Sequence, residues 1–398
     1  YSSVDGLFYR SGGEVKRTPA QNRDVFVPPD FRKFDLRRYR VKIPNRFTQD
    51  KAEYVNVLPY RFSAGCRCKC AYCALSYFNG QDHLAIPEII QQLSDIVRDT
   101  GCRNFIFLNP CVNINRKFTL DFAKELAASG LDIRWSDSAR FEGLNEKTIQ
   151  ALAESGCTRL YLGLESLTAN MDKYMSKKLE IPQVIDVMKS CKDHEIWVGL
   201  NMITGFPYET RNEMRQLAAF LEEHSDLYDS TEINAFMLLV NTSFYADPAK
   251  YNVEVRKTGV LDTARGVPFD EIEGRPWSQI KADKEWGYQL LSDTARKALG
   301  YSNDSEWLPM VFWLKEKYRT KDRMREVYGQ LIQTYQSLTD QRKFDALSDN
   351  SDSRPSTPSQ TKKSNPAEPV KQQKKIIPVK SLRPGMMIKQ MTKKKKQG

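Results

Sequence analysis

Between residues 54 and 239 short apolar runs alternate with amphipathic stretches, a pattern that few folds accommodate. Runs at 54–62, 104–108, 133–136, 159–164, 197–203 and 232–239 predict strands. The stretches at 87–100, 119–129, 145–155, 181–194 and 209–223 predict helices. In the first of these, Ile89, Ile90, Leu93, Ile96 and Val97 fall on one helical face. Thr119 and Asn145 stand where N-caps belong, and Gly130 and Gly156 where helices stop. Strands that alternate with helices pair in parallel through right-handed crossovers, so the expected class is α/β. In such folds ligands gather at the carboxyl ends of the strands.

The first strand leads into Gly65-Cys66-Arg67-Cys68-Lys69-Cys70-Ala71-Tyr72-Cys73, which holds four of the chain's eight cysteines. Cys66, Cys70 and Cys73 stand in C-x3-C-x2-C spacing. Thiolates gathered this closely make a soft, polarisable site suited to an iron–sulfur cluster or zinc. Positions i, i+4 and i+7 also share a helix face, but Gly65, Arg67 and Lys69 do not belong in a buried stripe. A structural zinc site takes two separated ligand pairs, and no second pair follows. Four cysteines in one tight loop cannot easily pair as disulfides. The iron–sulfur reading prevails, and because a [4Fe–4S] cube usually takes four cysteines, three would leave one iron open.

Other strand ends carry polar residues. After the fourth come Gly163-Leu164-Glu165-Ser166 and then Met175-Ser176-Lys177. Alone, Glu165 and Lys177 read as a solvent-facing carboxylate and a helix-end lysine. After the fifth comes Asn201-Met202-Ile203-Thr204-Gly205-Phe206-Pro207-Tyr208-Glu209-Thr210, where Gly-x-Pro makes a turn that lets a ligand approach the backbone. Thr210 and its neighbours are expected to cap the next helix. Leu108-Asn109-Pro110-Cys111 follows the second strand, and Ser136, Ser138 and Arg140 point to the same rim from the third. For those three, loop polarity and ligand contact are equally good readings.

The cysteine motif, with aromatic Tyr72 before its last cysteine, resembles the signature of the radical S-adenosylmethionine (radical SAM) superfamily. The G-x-E-S and G-x-P-x-E-T segments resemble those of its cobalamin-dependent and coproporphyrinogen-oxidase-like groups, with Tyr208 where glycine is usual. The resemblance covers residues 50–250 or so and implies a partial (β/α)6, TIM-like barrel. It implies one [4Fe–4S] cluster with an iron on each of Cys66, Cys70 and Cys73, and S-adenosylmethionine on the fourth iron. Tyr72, Glu165, Lys177, Asn201 and Gly205 are then cofactor-binding residues. Glu165 and Asn201 would meet ribose hydroxyls, and Lys177, or its neighbour Lys178, the cofactor carboxylate. The Gly-Gly-Glu that often holds the methionyl amine is missing, and Asn109 or a carbonyl beside it would substitute. Cys68 is extra to the pattern.

The same resemblance implies an electron entering the sulfonium and a 5′-deoxyadenosyl radical that abstracts hydrogen from an unactivated carbon. A reductant of flavodoxin or ferredoxin type and a small-molecule or peptide substrate are implied partners. The reaction class suggested is cobalamin-dependent C-methylation in natural-product or peptide biosynthesis, with cobalamin as a further cofactor. The cobalamin motif D-x-H-x-x-G does not occur, since Asp82-His83 lacks its spacing and glycine, and His83, His194 and His224 lie outside the matched motifs. A tRNA-modifying radical SAM enzyme and a non-catalytic iron–sulfur scaffold protein are the alternatives.

Residues 1–50 read as a linker or the remnant of an upstream domain, with a hairpin around Ser11-Gly12-Gly13 and a stiff Pro28-Pro29 connector. The opening on Tyr1 suggests a trimmed chain. Residues 51–245 form the expected radical core and 246–345 a helical, substrate-covering region, with Trp277, Trp286, Trp307 and Trp313 as core. No cysteine follows Cys191, so a cysteine-rich auxiliary cluster domain is not expected within residues 192–398. Residues 346–398 are rich in Ser, Pro, Gln and Lys, the composition of a disordered tail. The net charge of +11 sits entirely in 351–398, so the body carries equal numbers of basic and acidic residues and any polyanion binding belongs to the tail. No apolar run approaches a membrane span, and cysteines without a disulfide framework suit a reducing, cytoplasmic setting. Removing residues 346–398 is expected to leave S-adenosylmethionine cleavage intact in a 5′-deoxyadenosine assay; lost activity would assign the tail to the enzyme.

Overall fold

Each predicted run supplies a strand to one parallel sheet in the computed structural model, which describes residues 7–19, 26–49, 51–77, 81–113, 115–168, 175, 177, 179–256, 266–301, 308–318 and 320–334. The strands are β1 (Leu58–Tyr60), β2 (Asn104–Phe107), β3 (Arg134–Ala139), β4 (Cys157–Glu165), β5 (Trp197–Thr204) and β6 (Ser230–Ala235). They pair in sequence order, every pair parallel. Helices α1 (Ile86–Thr100), α2 (Arg116–Ala128), α3 (Glu146–Glu154), α4 (Ile181–Asp193) and α5 (Arg211–Glu223) make the crossovers. A sixth helix, α6 (Trp277–Leu299), packs on α5 and β6. β1 and β6 are the sheet's two edges, so this is the open (β/α)6 barrel expected.

Period-two alternation divides the sheet into two faces. Trp135, Leu160, Leu162, Leu164, Val198, Leu200 and Met202 join the core beneath the helices. The alternate positions, Ser136, Ser138, Arg159, Tyr161, Gly163, Gly199 and Asn201, face the concave interior. That face is polar, which a purely structural barrel would not require.

Local signals act as expected with two exceptions. Asn145 caps α3, accepting from Thr148 N at 3.0 Å. Gly156 has φ +90°, and a Cβ there would stand 2.0 Å from Ile133 O, so only glycine fits. Thr210 and Glu213 form a capping box on α5. The two-residue turn at Gly12 and Gly13 has φ values of +62° and +83° and joins strands Phe8–Ser11 and Glu14–Arg17. Thr119, however, does not cap α2. Asn115 does, one turn earlier, and the Thr119 hydroxyl is buried against the carbonyls of Val112 and Asn115. The first strand is also shorter than its apolar run: Tyr54–Val55 pairs instead with Val41–Lys42.

The tryptophans divide. Trp313 is core, while Trp286 is only half-buried between the guanidinium groups of Arg211 and Arg215. Arginines on the α5 surface satisfy its ring face, so burial is unnecessary. Trp277 is half-buried against a second, smaller core. Trp307, Ser176, Lys178 and the basic tail lie outside the described residues.

Of the region expected to cover the substrate, α7 (Leu308–Lys317) and the helical residues 321–334 pack at the amino ends of the strands. Glu316 meets Arg134 at 3.1 Å. Lys321, 2% exposed, reaches Asp229 at 3.0 Å, and Asp229 also accepts from Val198 N at 2.7 Å. Removing one member of such a buried pair strands the other. Asp229→Ala is therefore expected to lower unfolding stability by about 3–5 kcal/mol in a denaturant titration, with partial recovery on adding Lys321→Met.

Candidate functional site

The cysteines occupy an excursion between β1 and α1. Ser63–Gly65 pairs antiparallel with Gln81–His83, and Gly65, at φ +69°, turns the chain into the cysteine run. Asn109, at the end of β2, pins the base of this excursion. Its Oδ1 accepts from Phe62 N, Ser63 N and Ser63 Oγ at 2.9–3.1 Å, and its Nδ2 donates to Asp137 at 2.7 Å. Burial drives the Asp137 carboxyl well above its ordinary range. The loop is tied at its middle, where Ala71 N donates to Met175 O at 3.0 Å and Ala71 O accepts from Phe244 N at 3.2 Å. Ala71, Met175, Phe206, Phe236, Phe244 and Phe269 form the second core beneath it.

Cys66, Cys68, Cys70 and Cys73 line one cleft at the carboxyl ends of the strands, with Tyr72, Pro110, Cys111, Ser138, Arg140, Tyr161, Gly163, Glu165, Lys177 and Asn201. Arg140 donates to Cys70 Sγ at 3.3 Å and to Glu142 at 2.6 Å. A hydrogen bond from Cys66 brings the Cys68 thiol down to about 6, helped by the charges of Arg140 and Lys177; Cys66, the donor, is pushed up. Burial raises Cys111 to about 12. Among the described residues no three His, Cys, Asp or Glu side chains converge as a single ion such as zinc requires. A cube asks for something else: thiolates standing apart around a void, each on its own iron. Three cysteines on the walls of one cleft fit that demand.

Across the cleft, Lys177 and Glu165 form an ion pair at 3.0 Å, their side chains 1% and 11% exposed. A register shift between Gly163 and Glu165, with Glu165 at φ +60°, ends β4 in a bulge. The pair then fills the space a side chain at Gly163 would need: a Cβ there would lie 2.5 Å from Glu165 Oε1 and 2.8 Å from Lys177 Nζ. Tyr72 also bonds to Glu165; burial, and then that carboxylate, hold its hydroxyl protonated. Its ring meets Phe206 edge-on at 5.5 Å.

The turn after β5 is built from buried polar contacts. Glu209, 1% exposed, accepts from Ser166 Oγ and Gly205 N, both at 2.7 Å, and so ties the end of β4 to that of β5. Burial pushes its carboxyl up to about 7. Tyr208 has φ +64°, which explains why glycine suits that position. Its N–H is held by Glu271 at 2.6 Å and its hydroxyl by two carbonyls at 2.7 Å.

The cleft thus brings together Cys66, Cys70, Cys73, Tyr72, Glu165, Lys177 and Asn201, and the Asn201 Oδ1 is buried without a hydrogen-bond partner. It does not include Asn109, whose acceptor is consumed by the loop base, although Pro110 beside it lines the wall. Nor does it include Gly205, against which Lys284 packs; a Cβ there would sit 2.7 Å from that side chain. Of Ser136, Ser138 and Arg140, the last two reach the wall. Tyr161, Cys111 and Glu209 escaped sequence reasoning. Only strand alternation pointed to Tyr161, and nothing local marked Glu209 as a clasp.

Comparison with known proteins finds similarity over the barrel. Residues 60–221 match the family model of the Radical SAM superfamily. An uncharacterised methyltransferase of Pyrococcus horikoshii is 28% identical over 225 residues, 55% of this chain and 46% of the relative. The anaerobic magnesium-protoporphyrin IX monomethyl ester cyclase of Cereibacter sphaeroides is 22% identical over 228 residues, 54% of this chain and 35% of the relative. The chain therefore spans less than half the length of either. The structure of OxsB, a cobalamin-dependent S-adenosylmethionine radical enzyme with aqua-cobalamin bound, has a TM-score of 0.50 at 13% identity. That likeness, of fold alone, covers 81% of this chain and 52% of the other. Residues 60–221 therefore resemble a radical SAM domain, and the enzymes of that superfamily are what this part of the chain is similar to.

Proposed function

We propose that this chain holds one [4Fe–4S] cluster on Cys66, Cys70 and Cys73, with S-adenosylmethionine beside it, to functionalise a carbon–hydrogen bond. When bound, the two supply reductive cleavage of the sulfonium and a 5′-deoxyadenosyl radical. The observation that carries the reading is the convergence of three cysteines, the Glu165–Lys177 pair and Asn201 on one cleft. Lys177 offers a buried cation to a carboxylate, a charge-assisted contact strengthened by exclusion of water. Glu165, oriented by Tyr72 and Lys177, and the unpartnered Oδ1 of Asn201 are acceptors suited to ribose hydroxyls. Arg140 donates to the sulfur of Cys70 and so orients that ligand. Asn109 serves as a strut that sets the entry angle of the loop.

The methyltransferase among the relatives and the cobalamin-dependent enzyme of like fold suggest C-methylation as the reaction class. Among the described residues no histidine lines the cleft to ligate cobalamin. His83 stacks on Phe118, His224 meets Phe220 edge-on, and His194 ends α4. No step is therefore assigned to cobalamin on this chain. A small-molecule or peptide substrate, a flavodoxin- or ferredoxin-type reductant and a reducing cytoplasmic setting complete the proposal. Among the described residues no helix is long and apolar enough to cross a membrane.

Anaerobically reconstituted protein is expected to carry roughly four irons and four sulfides per chain. Alanine at Cys66, Cys70 or Cys73 should abolish the visible cluster absorbance, and Cys68→Ala should retain it; the reverse pattern would overturn the ligand set. Lys177→Ala should weaken S-adenosylmethionine binding by about 1.5–3 kcal/mol in an equilibrium titration, at unchanged iron content. Unaltered affinity would transfer the carboxylate contact to Arg140 or Lys178.

A further inference from the structure

The concave face of the sheet contains a charge that no opposite charge answers. Arg159, on β4, is 5% exposed, and none of the ion pairs among the described residues involves it. Its Nη2 donates to Ser230 Oγ at a long 3.4 Å, and its Nε has no hydrogen-bond partner. The guanidinium carbon lies 3.4 Å from the centroid of the Tyr161 ring, and the Tyr161 side chain also hydrogen-bonds to the guanidinium, which leaves Nε unpartnered. Glu232, on β6, acts on Arg159 only from beyond ion-pair distance and is itself exposed. Gly199 supplies the room: a Cβ there would stand 3.1 Å from Nη2.

Burying a lone guanidinium is costly, and this one is placed where a ligand could answer it. Tyr161, two residues further along β4, lines the cofactor cleft, as does Asn201 with its unpartnered Oδ1. Nε and Nη2 form the edge that takes a carboxylate side-on. Elsewhere in this chain Arg32, Arg37 and Arg256 hold aspartates through that same pair of nitrogens. A single planar cation beside a carboxylate suits a monoanion better than a phosphate dianion.

We propose that Arg159 anchors a carboxylate group of the substrate on the concave face beneath the cofactor cleft, reached when the Tyr161 side chain turns aside. The identification of the anchored molecule as substrate rests on the radical SAM reading; the anion site itself does not.

The test is thermal unfolding of the full chain in formate and in acetate against chloride at matched ionic strength, with inorganic phosphate as a second comparison. Formate or acetate should raise the wild-type midpoint by about 2 °C or more. Arg159→Met should keep or raise the midpoint in chloride, because it removes an unpaired buried charge, and should lose the carboxylate response. Arg159→Lys should keep part of it. The proposal fails if Arg159→Met melts earlier as a core truncation would, if its carboxylate shift persists, or if the wild type shows none. A phosphate shift exceeding that of formate would overturn the carboxylate assignment. Iron content and S-adenosylmethionine binding on the same wild-type samples separate the two readings: their loss would sink the cofactor reading and leave the anion result standing.

Discussion

A buried ion pair at the end of β4 organises the rim of this barrel. Lys177 and Glu165 are both buried, and each offsets the cost of taking the other's charge out of water. Their contact depends on a bulge that turns Glu165 inward and on Gly163, whose missing side chain leaves them room. Because Tyr72 of the cysteine loop also bonds to Glu165, the pair joins the loop to the fourth strand. The Lys177 charge also acts on Cys68, together with that of Arg140, so the electrostatics of the thiols and of the lysine are one system.

Around this pair, rigidity comes from polar groups that consume one another's hydrogen-bonding capacity. Asn109 uses its acceptor on the loop base and a donor on Asp137. Glu209 uses its carboxylate on Ser166 and the Gly205 turn. Neither reaches the cleft, yet each holds an element that does. Two of the buried polar groups left unsatisfied, Asn201 Oδ1 and Arg159 Nε, lie on the concave face, while others, such as Asn56 Oδ1 and Ser190 Oγ, lie elsewhere.

The two ends of the barrel are treated differently. At the amino ends, α7 and residues 321–334 close the sheet through the Asp229–Lys321 pair and through Tyr328, whose ring meets Trp197 at 5.0 Å. At the carboxyl ends, residues 236–256 and 266–280 pack around the cysteine loop and the turn after β5.

The alternation of apolar runs and amphipathic stretches determined the parallel sheet, the order of its helices and the rim to which the cysteines belong. Those features are local: strand and helix periods and cap residues such as Asn145 and Thr210 act within a few residues of themselves. The C-x3-C-x2-C spacing likewise singled out Cys66, Cys70 and Cys73, and their proximity in the chain brings them to one cleft. Only the tertiary structure decided that Asn109 is a strut, that Lys284 covers Gly205, and that Glu209 is a clasp. It alone placed Arg159 without a carboxylate between Tyr161, Gly199 and Ser230. Whether a buried polar group is satisfied depends on partners dozens of residues away in the chain, and no local pattern encodes that distance.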